Sequence, residues 1–160
     1  MNTEILKSAE ELVSRLKVKG LKIATAESCT GGMLSSYITA VSGASKVFEM
    51  GITSYSNRIK NSILKVDAET LQTHGAVSQQ TAAQMAENVR DISGADIGVS
   101  VTGVAGPDGQ DGYSAGVVFV GISYQNHTAV HKLEIEPRDR NFVRESAVLE
   151  LLNLVITLLK

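Results

Sequence analysis

Glu27, Ser28 and Cys29 put a carboxylate, a hydroxyl and a thiol in consecutive positions, and Thr30-Gly31-Gly32 closes the stretch. Ser28 and Cys29 are both nucleophile types, useful only where a neighbouring group takes their proton. The stretch follows Leu21-Lys22-Ile23, an apolar lead-in that reads as a buried strand over 21–25. It precedes Met33-Leu34-Ser35-Ser36-Tyr37-Ile38, whose apolar residues recur at helical spacing, predicting a helix from Gly31 to Val41. A strand therefore runs into a polar turn, and the turn opens a helix. Such a helix start leaves unpaired N–H groups and the positive end of the dipole facing the turn, which suits an anion or a developing oxyanion. The plainer alternative is an ordinary connection with Ser28 or Thr30 as the N-cap. The local sequence leaves both open.

Around that turn the chain supplies alternating elements. Residues 3–18 place Ile5, Leu6, Leu12, Val13 and Leu16 on one face of an amphipathic helix that Gly20 ends. Phe48 to Tyr55 reads as a second strand, and Ser56 or Asn57 can cap a helix with Ile59, Ile63 and Leu64 turned inward. Lys60 falls in its first turn, where the dipole disfavours a cation and a solvated surface lysine is the ordinary expectation. Asp67–Thr73 is a short helix, and Ser78 caps a longer one to Ile92 with Ala82, Met85, Ala86 and Val89 facing in. Ile97–Thr102 reads as a buried strand, and Gly103–Gly112 as a loop long enough to be functional. Ala115–Tyr124 and Thr128–Glu136 form an antiparallel hairpin. Arg138–Lys160 is a final helix, apolar nearly all round from Ala147 to Leu159, which predicts deep burial or a subunit contact and hence a homodimer. The pattern is α/β: a three-layer α/β/α sandwich on a mixed, mostly parallel sheet, formed by residues 1–160 as a single domain.

In such a sheet a ligand sits at the carboxyl ends of the strands. The turns meeting there are Thr25–Gly32, Ser54–Asn57 and Thr102–Gly109, the segments richest in Ser, Thr, Tyr and Gly. Glu27-Ser-Cys-Thr-Gly-Gly32 resembles the signature of the CinA C-terminal domain family, the nicotinamide mononucleotide deamidases. Four more segments match in order: Gly51-Ile-Thr-Ser-Tyr-Ser-Asn57 with Lys60, His74-Gly-Ala-Val-Ser78, Ser100-Val-Thr-Gly-Val-Ala-Gly-Pro-Asp-Gly109 and Gly116-Val-Val-Phe-Val-Gly121. The likeness runs from about Leu12 to Leu152. It implies the same fold, often dimeric, and an amidase that converts nicotinamide mononucleotide to nicotinate mononucleotide and ammonia. It also implies Ser28, Tyr55 and Lys60 as the catalytic residues, and the stand-alone form of a domain found elsewhere behind a larger one.

The residues themselves agree with that chemistry. A metal-free amidase needs a nucleophile, a base and oxyanion donors. Ser28 is the candidate nucleophile, with Cys29 its rival, and the N–H groups around Thr30, Gly31 and Gly32 are candidate donors. His74, His127 and His131 lie outside the three turns, so the base is expected to be Lys60, made neutral by burial and by positive potential. Tyr55 could relay the proton or hold the lysine. Glu27 is either an orienting group for a hydroxyl or ribose, or a capping carboxylate. Thr102, Gly103, Gly106 and Pro107 belong to a glycine loop that lets backbone approach a phosphate or a base, although no Gly-Lys-Ser/Thr makes it a P-loop.

Composition narrows the partners. A net charge of −2 gives no general pull toward nucleic acid or anionic membrane, so the expected partner is a small-molecule nucleotide. One cysteine permits no intrachain disulfide. No signal peptide and no spanning run appears, which points to the cytoplasm. No Cys, His and carboxylate cluster has ligand spacing, so neither a metal nor a cofactor is expected. Two departures from the family pattern, Tyr113-Ser-Ala115 and Arg138-Asp-Arg140, bear on substrate identity or affinity. The competing reading is a nucleotide-binding regulatory or partner-binding module, in which Ser28 and Thr30 only hold phosphate; a weaker one is amide hydrolysis on another small nucleotide.

Overall fold

In the computed structural model, which describes residues 1–160, five strands form one sheet in the order β2-β1-β3-β4-β5. The strands are β1 (Ile23–Glu27), β2 (Phe48–Thr53), β3 (Ile97–Gly103), β4 (Val117–Tyr124) and β5 (His127–Glu134). β1 pairs in parallel with β2 and β3, and β4 pairs antiparallel with β3 and β5. Four strands therefore run one way and only β4 opposes them. The six helices are α1 (Thr3–Lys19), α2 (Met33–Thr39), α3 (Asn57–Ser62), α4 (Ala68–His74), α5 (Gln79–Ser93) and α6 (Arg140–Leu158). No helix is long and apolar enough to cross a membrane.

Strand alternation assigns the two faces. Ile23, Ile97, Val99, Val101, Val118, Val120 and Ile122 point into a large core shared with α1, α2 and α6. Ala24 and Ala26 point the other way, against Leu64, Leu71, Met85 and Val89 of α4, α5 and the segment before them. Small residues let α5 lie close on that second face. The Ser100 hydroxyl donates to the Ala82 carbonyl at 2.6 Å. A Cβ on Gly98 would stand 2.1 Å from the Ala86 carbonyl oxygen and 2.6 Å from the Arg90 Cβ. Gly98→Ala must therefore push α5 off the sheet, and it is expected to cost roughly 1–3 kcal/mol, read as a lowered Tm in thermal melting.

Most expected elements form where the sequence places them. Gly20 and Gly94 end α1 and α5, the Ser78 side chain accepts the Thr81 N–H, and the hairpin turns at Gln125-Asn126. Boundaries shift by a residue or two, and three differences bear on the site. β1 continues to Glu27, beyond the expected end at residue 25, because ladder pairing to Thr53 and Val101 persists that far. α2 starts at Met33 with Gly32 as N-cap at φ 98 and no side-chain cap of its own, so neither Ser28 nor Thr30 caps it. In α3 the inward residue is Lys60, 1% exposed, while Ile59 is half-buried and Ile63 is 53% exposed. The helix stops at Ser62, so Leu64 reaches the core from the following turn rather than from a helical face.

The buried stripe of α6, Val143, Ala147, Val148, Leu151, Leu152, Val155 and Ile156, belongs to the larger core that contains residues of α1, α2 and the sheet. Most of its apolar residues are thus buried inside one chain, while Leu158 is 48% exposed and Leu149 and Leu154 are half-buried.

Candidate active site

The turn after β1 is held by its own side chains. The Glu27 carboxylate, wholly buried, accepts the Thr30 hydroxyl at 2.6 Å and the Ser35 hydroxyl at 2.7 Å. It also accepts the N–H groups of Gly32, Leu34 and Ser35 at 3.2, 3.0 and 2.9 Å. Glu27 is thus the capping carboxylate of α2, with no oxygen left facing a ligand, and it favours the positive helix end electrostatically. From α6, Arg144 donates to the carbonyls of Cys29 and Thr30 at 3.1 and 2.9 Å. The Ser28 N–H donates to Val101 O at 2.9 Å, extending the β1–β3 ladder to the residue that bears the hydroxyl. Two of the expected oxyanion donors are spoken for: Gly31 N–H bonds Ser28 O, and Gly32 N–H bonds Glu27. The N–H groups of Cys29 and Thr30 donate to no other residue.

Lys60 comes to this turn from α3. The Ser56 side chain accepts the Ile59 N–H and starts that helix, placing the next residue toward the sheet. Lys60 Nζ donates to Ser28 Oγ at 2.8 Å and to the Ser54 carbonyl at 2.8 Å. Burial lowers its pKa to about 8, against an opposing pull from Cys29 and Asp111. Burial also pushes the Cys29 thiol up to about 11, so that thiol is uncharged where Lys60 titrates and its pull on the lysine is missing there. The pair is a hydroxyl beside an amine that can become neutral. The thiol beside it has no base.

The dyad opens into a cavity of about 360 Å³ at the carboxyl ends of β1, β2 and β3. The chain order reverses between β1 and β3, the place where open α/β sheets bind ligands. Of the residues singled out in the sequence, Ser28, Tyr55, Lys60, Thr102, Gly103, Gly106 and Pro107 line it, and Cys29 does too. Glu27, Thr30, Gly31 and Gly32 do not. Tyr55 is 59% exposed and its hydroxyl accepts from Arg140 at 2.8 Å, so it neither holds Lys60 nor reaches Ser28. Thr102 donates its hydroxyl to Ala76 O at 2.7 Å, fastening the loop after α4 to the cavity wall. In the glycine loop the N–H groups of Ala105, Gly106, Asp108 and Gly109 donate to nothing within the protein. All three histidines are exposed and lie off the cavity, and no group of three or more His, Cys, Asp or Glu could hold a metal.

Arg144 escapes the sequence reading, and Arg140 enters it only within the Arg138-Asp-Arg140 departure. Arg140 lines the cavity, donating to Gly106 O at 2.5 Å as well as to Tyr55. Arg144, one turn on, orients the Ser28 turn. The signal available was Arg140 in the first turn of a helix, where the dipole disfavours a cation unless something else requires it. The segment Arg138-Asp-Arg140 reads in sequence only as a departure from a family pattern.

The model of the CinA C-terminal domain matches residues 5–159. Over 148 residues the chain is 48% identical to the competence-damage inducible protein of Thermoanaerobacter sp. (strain X514), covering 91% of this chain and 36% of that protein. The protein of the same name from Bacillus subtilis (strain 168) is 47% identical over 123 residues, 77% of this chain and 30% of the relative. At 36% and 30% of their length, the chain spans about a third of these relatives. The crystal structure of the competence/damage inducible protein CihA from Agrobacterium tumefaciens matches with a TM-score of 0.95 at 34% identity, covering 100% of this chain and 98% of that one. The competence or damage-inducible protein from Enterobacter asburiae matches with a TM-score of 0.95 at 36% identity, covering 99% and 100%.

Proposed function

The chain belongs to the CinA C-terminal domain family, and on that premise we propose that it is a serine amidohydrolase acting on nicotinamide mononucleotide, releasing nicotinate mononucleotide and ammonia. The observation that carries the proposal is the buried Lys60 Nζ, 2.8 Å from Ser28 Oγ at the edge of the cavity. Neutral Lys60 takes the Ser28 proton as Oγ attacks the carboxamide carbon. The N–H groups of Cys29 and Thr30 meet the charge that develops on the carbonyl oxygen. Lys60 passes its proton to the amide nitrogen, the C–N bond breaks, and ammonia leaves an ester on Ser28. A water molecule then yields a proton to Lys60 and adds its oxygen to the acyl carbon; Ser28 regains a proton as the ester bond breaks. Arg140 and the unpaired N–H groups of the glycine loop are suited to the anionic part of the nucleotide, since each offers donors, with Asp108 the one carboxylate lining the same cavity.

A module that only bound phosphate would have no use for a desolvated lysine against a serine, because a buried amine of lowered pKa is a poorer anion ligand than an exposed one. The test is ammonia release from nicotinamide mononucleotide by the purified protein, with Ser28→Ala as control. Turnover that Ser28→Ala removes supports the proposal. Binding of the nucleotide without release of ammonia sinks it in favour of the regulatory module. Release from a different nucleotide amide alone would keep the chemistry and change the substrate.

A further inference from the structure

Ser54, the residue after β2, is wholly buried, and its Oγ is the buried side-chain polar atom that finds no hydrogen-bond partner. Its backbone is fully committed. The N–H donates to Glu27 O at 2.8 Å, beside the nucleophile turn, and the carbonyl accepts Lys60 Nζ at 2.8 Å. A buried hydroxyl left idle is costly, and native structures carry few of them. Ser54 does not line the cavity, so no ligand there satisfies it. The group that changes state beside it is Lys60. A neutral lysine has two N–H bonds and a lone pair, whereas the ammonium formed when it takes a proton has three donors. Ser28 Oγ and the Ser54 carbonyl account for two of these directions. With the lone pair on Ser28 and one N–H on the Ser54 carbonyl, the third position is an N–H in both states; on this residue, 1% exposed, it is most costly unmatched when Lys60 is a cation.

We infer that the Ser54 hydroxyl accepts this third N–H, making Ser54 a positioning residue that stabilises Lys60 in its protonated state. Only Cα and Cβ separate Oγ from the carbonyl carbon whose oxygen already touches Nζ, so one χ1 rotation sweeps it through the space around the amine. The hydroxyl is a weak acceptor for neutral Lys60 and a much stronger one once Lys60 carries the proton. This rests on the serine–lysine reading of the site, and it adds the means by which a desolvated base can be charged during the reaction.

The test is Ser54→Ala, with Ser54→Thr as the variant that restores a hydroxyl. Removing an idle hydroxyl should leave Tm unchanged or raised. The rate of ammonia release at saturating substrate should fall roughly 10- to 100-fold, as for the loss of a hydrogen bond to a charged group, with KM unchanged. The acid limb of the pH–rate profile should move to lower pH, because the ammonium loses an acceptor and gives up its proton more readily. Ser54→Thr should recover the rate. A wild-type rate and an unmoved pH profile in Ser54→Ala overturn the inference. So does a loss of rate that tracks a lowered Tm without a pH shift, which would make Ser54 merely structural. Should the wild-type protein release no ammonia, the hydrolase reading fails by itself. The lysine is then followed directly through the NMR titration of its side-chain amine: a lower midpoint in Ser54→Ala keeps the inference, and an unchanged midpoint rejects it.

Discussion

Ser28→Ala is expected to abolish amide hydrolysis, by on the order of 10⁴-fold or more, while the protein stays folded. The hydroxyl is the one nucleophile in contact with a base, Lys60 Nζ at 2.8 Å. Its backbone bond to Val101 O does not depend on the side chain, and Lys60 keeps the Ser54 carbonyl as acceptor. Melting should therefore be near wild type even as ammonia release disappears. Cys29→Ala is the companion variant, expected to stay within an order of magnitude of wild type. The thiol lines the cavity, but burial pushes its pKa up to about 11, and thiolate rather than thiol is the nucleophile. Measured side by side, loss with Cys29→Ala and retention with Ser28→Ala would exchange the two assignments.

How far the sequence leads depends on whether a residue's partners are near it in the chain. The α5 helix is legible from residues 78–94 alone: Ser78 caps it, Gly94 ends it, and Ala82, Met85, Ala86 and Val89 mark its inner face. The order of strands and helices is likewise legible, and with it the rule that brings the three polar turns to one end of the sheet. Glu27 is legible only halfway. Its neighbours in sequence suggest a cap or a ligand, and the structure decides by filling both oxygens with α2 donors. Lys60 defeats the periodicity argument outright. Apolar spacing turns Ile59 and Ile63 inward, yet the turn after β2 and the nucleophile loop form a polar seat that takes the lysine. Arg140 and Arg144 are out of reach for the same reason. Their acceptors are the carbonyls of Gly106, Cys29 and Thr30, and Arg144 lies 115 residues from Cys29 in the chain.

Lys60 carries the second large effect, and its sign follows from burial. A base must be unprotonated, so turnover should rise with pH through the pKa of Lys60, about 8 in the folded protein. The same group leaves a mark on stability. Between about 8 and the ordinary 10.5 the unfolded chain still holds the lysine proton that the folded chain has released. Stability therefore rises with pH across that window, and burial of the charged lysine destabilises the fold below it. Against Lys60→Met, which cannot titrate, the wild-type protein should gain on denaturant melting as pH climbs from 8 toward 10.5. Lys60→Ala should lower turnover between about 10² and 10⁴-fold while nucleotide binding survives, because the glycine loop and Arg140 are untouched. Lys60→Arg decides the role. Arginine keeps the charge but cannot give up its proton near neutral pH, so as a base replacement it should be as inactive as alanine. Near-normal turnover in Lys60→Arg would mean that the lysine serves only as a positive charge beside Ser28, and the proton of that serine would have to go elsewhere.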